Sequence, residues 1–454
     1  MQFEINKAFI QEIRDLLSEG NHAQIAERIA KIHPADIAEI IQQFREDEAN
    51  SFFQLIEGEK RAEVFLELDE DYRDELLSSL TSKEIAEQLI GQIDSDDAAD
   101  VISDLSEKQQ AEVMSHLEDD EQVSDIKQLL RYPEDSAGGI MGKELVKVQE
   151  DWTLAQGIRE MRKQAAEVSE VFTIYVVNNQ DQLIGTLSLK KMLFSPTSIK
   201  STFKEIYTTK EPKFIMAHEK AEEAAKMMEK YDLVALPVVD EEMRLLGRIT
   251  IDDVVDVMKE EAEKDYQMAS GLSDKVETTD TVWEVSRARL PWLVIGLFGG
   301  LLVAKVIGVY EDAIAQVTQL ALFIPLIAAM GGNVGVQSSA IVVQGLANDS
   351  INMQTIGQRL WKEFIVALVS GVICAGIVFG FNLIFEDSIK LGMTVGIALF
   401  CVIVFAALFG TFIPLMLNKV KIDPAVATGP FITTTNDIFG LVIYFIIAKA
   451  FFNL

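Results

Sequence analysis

The stretch DPAVATGPFITTTNDIFGLVIYFIIAKAFFN (Asp423–Asn453) decides how the rest of the chain is read. Between Pro424 and Phe452 its only charged residues are Asp437 and Lys449. A helix crosses a bilayer with about 20 apolar residues, so this run is long enough to span one. Asp437 then lies well inside the span. An isolated carboxylate there is costly unless it faces a water-filled cavity, a partner or an ion. Snorkelling, or sealing against a neighbouring helix, is the plain alternative. The cations Lys305 and Lys449 both fall near helix ends, so the residues favour an ion path.

Working outward, five spans are predicted: Leu290–Tyr310, Val317–Leu346, Phe364–Phe385, Leu391–Leu417 and Pro424–Phe452. The second contains MGGNVGVQSS (Met330–Ser339). Gly and Asn inside an apolar run predict either non-helical backbone, close packing around a cavity, or helix contact through small residues. Arg287, Arg289, Arg359, Lys362, Lys419 and Lys421 flank three span ends, while Glu311, Asp312, Glu386 and Asp387, with Lys390, flank the opposite ones. The excess of Lys and Arg on the cytoplasmic side then places the N-terminus inside and the C-terminus outside. One mid-span carboxylate per chain predicts an oligomer in which symmetry supplies a second Asp437. Two carboxylates across a narrow pore suit a hydrated divalent cation. Mg2+ gives up water reluctantly and fits that description, although charge alone also admits Mn2+, Co2+ and Ca2+.

The chain has 454 residues, too many for one soluble core, and its formal net charge of −31 is unevenly spread. Residues 286–454 hold eight acidic and nine basic residues, or +1; the first 285 hold the remaining 63 acidic and 31 basic, or −32. An acidic soluble half is thus joined to a nearly neutral membrane half. The acidic half repels nucleic acid and anionic lipid and attracts cations. Cys374 and Cys401 lie in apolar runs, and His22, His33, His116 and His218 are scattered, so neither a disulfide framework nor a zinc pattern is indicated. The opening MQFEINKAFIQEIRDLL reads as an amphipathic helix without the apolar core of a signal peptide, which predicts a cytoplasmic N-terminus.

Residues 1–130 show helical spacing with little Gly or Pro. Apolar positions follow helical periodicity in HPADIAEII (His33–Ile41), and the pattern returns at Ser82–Ile90, Ser95–Ile102 and Ser106–Met114. The last three open on a capping residue with acids in the first turn. Short repeated helices predict an all-α superhelical stack. Asp94, Asp96, Asp97 and Asp100 crowd one helix start, with Asp96 and Asp100 on one face. They read either as capping plus a solvated acidic face or as oxygen ligands for a divalent cation.

Residues 138–262 contain two similar segments, FTIYVVNNQDQLIGTL (Phe172–Leu187) and LVALPVVDEEMRLLGRI (Leu233–Ile249), in which Val176, Val177 and Gly185 match Val238, Val239 and Gly247. Helical patterns at Thr153–Gln164 and Lys220–Tyr231 precede them, and Leu189–Leu193 and Ile251–Met258 follow. Two β-α-β-β-α units that pack on each other are expected. Residues 253–285 then form a charged linker helix and a polar connection to the first span, with Asp253, Asp256, Glu260 and Glu261 on neighbouring turns.

The tandem segment resembles the cystathionine-β-synthase (CBS) domain pair, a module that commonly binds adenine nucleotides. The second copy carries the family's G-x-x-T-x-x-D pattern as Gly247, Thr250 and Asp253; the first reads Gly185, Ser188 and Lys191 and lacks the acid. The resemblance implies at most one good site for ATP or a related nucleotide, with Thr250 at phosphate and Asp253 at ribose. Asp253 also suits a first helical turn, where the dipole favours an acid.

The order of parts, with PLIAAMGGNVGVQSSA (Pro325–Ala340) and DPAVATGPFITTTNDIFG (Asp423–Gly440), is similar to the MgtE-type magnesium transporters over essentially the whole chain. The resemblance implies a homodimeric Mg2+ channel of the cell membrane, with five spans per subunit and a pore lined by the second and fifth. Asp437 corresponds to the family's pore aspartate and Asp423 to the carboxylate at the cytoplasmic start of that span. Regulatory Mg2+ residues are implied at Asp96 and Asp100, at Glu222, Asp232 and Asp253, and at Glu261 and Asp265 in the linker helix. Lys220 and Lys264 stand where some relatives have an acid, which removes ligands and adds positive charge. The competing expectations are a nucleotide-regulated transporter of another divalent cation or of an anion, and a membrane sensor that transports nothing. An intramembrane nucleophile or metal cluster is not seen in the sequence, so an enzyme is not expected.

Overall fold

The structure, a computed structural model, describes residues 6–165, 168, 171–194, 198, 200–207, 212–273, 276, 281–347, 356–385, 388–424 and 429–454. It divides into two compact units, Met1–Lys259 and Glu260–Leu454.

The first unit begins with ten short helices: α1 (Lys7–Ser18), α2 (His22–Ile29), α3 (Pro34–Ile41), α4 (Glu46–Phe53), α5 (Glu59–Leu66), α6 (Glu70–Ser79), α7 (Ser82–Gln88), α8 (Ser95–Ser103), α9 (Glu107–His116) and α10 (Asp120–Leu129). Most of them pack on helices two or three places along the chain. Thus α3 packs on α5, α5 on α7, α7 on α9, and α8 on α10. This is the superhelical stack expected from the repeated short amphipathic patterns. The caps sit one residue earlier than the sequence suggested in two cases: Thr81 caps α7 and Asp94 precedes α8. The Thr81 hydroxyl accepts the Glu84 N–H while the Glu84 carboxylate accepts the Thr81 N–H, a capping box.

The tandem module follows as β1 (Val146–Gln149), α11 (Leu154–Gln164), β2 (Ile174–Val177), β3 (Leu183–Leu187), α12 (Leu189–Phe194) and α13 (Phe203–Ile206), then β4 (Ile215–Met216), α14 (Ala221–Tyr231), β5 (Ala235–Val239), β6 (Leu245–Thr250) and α15 (Ile251–Ala269). Each copy is a three-stranded sheet. β1 pairs parallel with β2 and β2 antiparallel with β3; β4, β5 and β6 repeat the pattern. The copies pack on each other through Tyr175, Val177, Leu183, Val239 and Leu245. Reciprocal bonds tie the hairpins: Leu183 N–H donates to the Met243 carbonyl and Leu245 N–H to the Asp181 carbonyl, both at 2.9 Å. Asp181 and Met243 occupy equivalent turn positions, and both have left-handed backbones, with φ of 58° and 65°.

The apolar core of the helical stack runs without a break into the second tandem copy. One cluster joins Ile37, Phe52, Phe65 and Ile102 to Met141, Ile215, Leu236, Ile249 and Val254. The first copy keeps a core of its own around Val148, Ile174, Val176 and Phe203.

The second unit takes in α15 from Glu260 onward, then α16 (Val282–Val309), α17 (Glu311–Gln316), α18 (Ile324–Ala347), α19 (Ile356–Phe385), α20 (Ile389–Lys419) and α21 (Pro430–Phe452). Among the described residues, five helical segments are long and apolar enough to cross a membrane: Val282–Val309, Thr318–Leu346, Ile356–Phe385, Ile389–Lys419 and Pro430–Phe452. The most buried is the fourth, α20, which packs against α18, α19 and α21. Its core includes Val395, Leu399 and Val402 with Ile327, Leu441 and Phe445. The buried Tyr444 hydroxyl donates to the Leu320 carbonyl at 2.9 Å.

Of the three readings of Met330–Ser339, only non-helical backbone is excluded. The run Met330–Ser339 does not break the second span, because α18 is one helix through it. Gly335 serves close contact. A Cβ on Gly335 would lie 1.8 Å from Asn436 Nδ2, and one on Gly410 would lie 2.4 Å from the Gly335 carbonyl oxygen. Backbone therefore meets backbone where α18 crosses α20, and only Gly permits that approach. On the flanks, Glu386 and Asp387 lie outside the described residues, as do Asp349, residues 425–428 and most of the polar connection at 274–280.

Candidate cation sites

The first candidate lies in the second unit. A cavity of about 410 Å3 is lined by Ala328, Ala329, Gly332, Asn333, Val336 and Gln337 of α18 and by Thr433 and Asp437 of α21. Asp437 is half-buried at this cavity, within a helix that is otherwise apolar from Ile438 to Ala448. Small residues make the space: a Cβ on Gly332 would stand 3.6 Å from Asp437 Oδ1. Asn333, Gln337 and Thr433 supply neutral oxygens and amides beside the carboxylate, a donor set suited to an ion that keeps part of its water shell. Sequence reasoning singled out Asp437 but missed these three. The signal was present in the spacing, since Asn333 and Gln337 are one turn apart on a single face.

Behind the cavity the polar residues are internal. Asn436 is fully buried against Gly335. The buried Ser338 hydroxyl donates to Glu363 of α19 at 2.7 Å, which keeps that carboxylate inside the bundle rather than in lipid.

Just before the cavity-lining turns, at the start of α21, the chain makes close contact with the end of α15. Gly429 (φ 61°) would place a Cβ 2.8 Å from the Ala269 carbonyl oxygen, and Gly271 (φ 82°) would place one 3.0 Å from Pro430 Cγ. The last turn of the linker helix therefore abuts the first residue of the helix that carries Asp437. Lys264 pairs with Glu261 at 3.1 Å. Its pKa is raised, mainly by that hydrogen bond and further by the charges of Asp423 and Asp265. Three of the carboxylates proposed from the resemblance thus surround the lysine that stands in an acid's place.

The second candidate lies in the first unit, where α8 faces the β6–α15 junction. Asp96, Asp97 and Asp253 are half-buried there, with Asp100 at the solvent-exposed rim. Asp96 Oδ2 would be 3.0 Å from a Cβ on Gly142, so its carboxylate rests on that backbone. Burial raises the pKa of Asp96, and Asp253, Asp97, Glu144 and Asp94 raise it further. Burial and then Asp253 push Asp97 up to about 7. Asp100 is pushed up to about 7 by burial first and then by Glu134 and Asp104, and at its exposed position water screens those charges. Like charges have been brought together at a cost that protons or cations relieve. Among the described residues no group of three or more His, Cys, Asp or Glu side chains converges tightly enough to hold a bare metal ion, so a cation here would be held largely through water.

Asp253 also has a local role. Thr250 N–H and its hydroxyl donate to Asp253 Oδ2 at 2.7 and 2.8 Å, which closes the first turn of α15. Its charge also reaches Asp96 and Asp97. In the first copy the corresponding Ser188 accepts the Lys191 N–H at 3.2 Å, and no acid stands there. The remaining predicted residues are not brought into the cluster. Glu222 pairs with Lys226 at 2.7 Å, and Asp232 is an exposed, left-handed residue that ends α14. Lys220 precedes α14 as its cap residue without a capping side-chain bond. Sequence reading missed Glu144, because its distance of 49 residues from Ser95 hides their contact.

Comparison with known proteins agrees with this order of parts. A family profile described as a divalent cation transporter, MgtE, matches residues 324–447; the MgtE intracellular N domain matches 32–135; CBS domains match 137–195 and 203–260. The magnesium transporter MgtE of Bacillus subtilis is 34% identical over 331 residues, 72% of this chain and 72% of the relative. That of Enterococcus faecalis is 33% identical over 334 residues, 73% of this chain and 72% of the relative. A solved structure described as the cytosolic domain of the Mg2+ channel MgtE in complex with ATP is 30% identical, covers 55% of this chain and 99% of its own, and superposes with a TM-score of 0.50. With helical domain, CBS pair and membrane spans all matched in sequence order, the chain is a multi-pass membrane protein that belongs to the MgtE family of divalent cation transporters.

Proposed function

We propose that the chain forms a homodimeric, Mg2+-selective channel that admits Mg2+ to the cytoplasm and is closed by cytosolic Mg2+. The observation that carries the conducting role is Asp437 at a polar-lined cavity inside an apolar bundle. In a two-fold dimer two such carboxylates face one ion, and a hydrated Mg2+ is recognised through its water. The relatives named as magnesium transporters support this cargo. The Lys and Arg residues at span ends support soluble parts in the cytoplasm and a C-terminus outside.

Closure follows from linkage. We take residues 1–130 as the regulatory helical domain, 138–262 as the CBS pair, 253–285 as the linker and 290–453 as the pore domain. Mg2+ shared among Asp96, Asp100 and Asp253 offsets the repulsion that otherwise opposes the docked arrangement, and so favours it. Glu261, Asp265 and Asp423 form a second acidic group around Lys264, beside the contact of α15 with α21. Glu222 and Asp232 are proposed as outlying ligands that would first have to leave Lys226 or solvent. An adenine nucleotide is the proposed ligand of Gly247, Thr250 and Asp253, supported by the ATP-bound relative.

Purified protein in liposomes tests the central reading. Asp437→Ala is expected to abolish most Mg2+ flux while the folded oligomer remains, and Asp437→Asn to lower selectivity for divalent over monovalent cations. Wild-type flux through Asp437→Ala would exclude the pore assignment.

A further inference from the structure

The segment Gly142–Lys143–Glu144 lies between the helical stack and the second CBS copy and bonds to both. On the CBS side, Gly142 and Arg248 exchange backbone hydrogen bonds, Gly142 N–H to the Arg248 carbonyl at 2.8 Å and Arg248 N–H to the Gly142 carbonyl at 2.9 Å. The Lys143 ammonium donates to the Leu246 carbonyl of β6 at 3.0 Å and to Gln128 Oε1 of α10 at 2.9 Å. On the helical side, besides Gln128, the contacts converge on Ser95, the first residue of α8, which is 1% exposed. Its N–H donates to Glu144 Oε1 at 3.0 Å and its hydroxyl to Glu144 Oε2 at 3.0 Å, while the Lys143 N–H donates to the Ser95 oxygen at 2.9 Å.

This arrangement is hard to explain by charge. Glu144 adds a negative group beside Asp94 and Asp96 and raises the pKa of both. If Coulomb repulsion alone decided the site, removing Glu144 would help the domains meet. Its two oxygens are instead both engaged by one buried residue at a helix start. There the backbone N–H lacks an intrahelical partner, and a carboxylate is favoured by the dipole. Hydrogen bonds to a charged acceptor are the stronger kind, and leaving their partners buried and unpaired is costly.

We propose that Lys143 and Glu144, closed on Ser95, form a cation-independent clasp that holds α8 to the CBS pair and so sets the Mg2+ concentration at which the acidic faces dock. The proposal deepens the Mg2+ regulation proposed above and rests on it. Lys143, Glu144 and Ser95 are positioning residues: they hold the helix that carries Asp96, Asp97 and Asp100.

The test is hydrogen–deuterium exchange of peptides covering residues 93–104 in the full-length protein in nanodiscs, titrated with MgCl2 at constant ionic strength. Ser95→Ala leaves the charge unchanged. It is expected to weaken docking about fivefold or more at fixed Mg2+, which moves the protection midpoint upward. Glu144→Ala is expected to move it upward as well, although it deletes a negative charge. Glu144→Gln, which keeps one acceptor, falls between wild type and Glu144→Ala. Exchange in α3 and α5 reports whether each variant is folded. A charge-only role predicts the opposite pattern: both Glu144 variants lower the midpoint and Ser95→Ala leaves it in place. That result overturns the clasp. If wild-type protection proves independent of Mg2+, the regulatory reading fails separately. The clasp is then judged by Ser95→Ala without Mg2+, where loss of protection supports it and unchanged protection overturns it.

Discussion

Protons should replace Mg2+ at the acidic junction, and the size of the effect can be worked from Asp97. With the helical domain docked its carboxyl titrates at about 7, against an ordinary value of 3.8. A pKa raised on docking means that the docked state binds the extra proton. The contribution is full at low pH and is lost as pH rises through about 7. Between pH 8 and pH 6 the docked state's proton-binding factor rises from about 1.1 to about 11, while that of a freely solvated carboxylate stays near 1. Docking without divalent cations should therefore strengthen by up to about tenfold from this one group. Asp94, Asp96 and Asp253 are shifted in the same direction and add to it. The assay is protease protection of the full-length protein in EDTA at pH 6, 7 and 8. Asp97→Asn serves as the control, since it removes the Asp97 share and leaves the histidines untouched. At saturating Mg2+ the trend should flatten or reverse, because the cation needs the carboxylates ionised. Docking that is equal at pH 6 and 8 in EDTA, or weaker at pH 6, would refute the argument that the burial and mutual repulsion of these carboxylates oppose docking.

Three further outcomes are expected. Gly410→Ala puts a methyl group 2.4 Å from the Gly335 carbonyl, so it should destabilise the bundle by about 1–3 kcal/mol and lower the melting temperature. Gly300→Ala, whose Cβ meets nothing within 4 Å, should melt like wild type, and equal melting of both variants would count against the crossing. Lys264→Glu breaks the pair with Glu261 and restores an acid beside Asp423. Closure should then require less cytosolic Mg2+, as read from flux against Mg2+ in liposomes; an upward shift would contradict a ligand role for this group. Calorimetry should detect adenine nucleotide binding that weakens in Thr250→Ala, since the hydroxyl is the proposed phosphate contact, and identical heats in the two proteins would remove the site.

The patterns that survived from sequence to structure are those written locally. The spacing of apolar residues gave the helices around His33–Ile41 and Ser95–Ile102, because an amphipathic stripe is a property of one segment. The 62-residue echo between Val176 and Val238 placed two equivalent sheets. The Gly-rich run Met330–Ser339 misled in one of its readings. Glycine signals either a break or a close contact, and only the neighbour distinguishes them. Here the neighbours are Asn436 and Gly410, more than 70 residues away in sequence.

By itself the sequence determined that the chain has an acidic soluble half and a membrane half, that two similar α/β copies lie between them, and that the last apolar span carries a carboxylate, Asp437. Composition, periodicity and the cost of a charge in hydrocarbon suffice for those conclusions. Tertiary structure alone decided which carboxylates meet. It brought Asp96 and Asp97 to Asp253, left Glu222 with Lys226, gathered Glu261 and Asp423 around Lys264, and closed Glu144 on Ser95. The physical reason is that a single acidic residue reads alike wherever it stands in a chain. Its pKa, its partner and its work are set by groups within a few ångströms, and those come from segments that only folding makes neighbours.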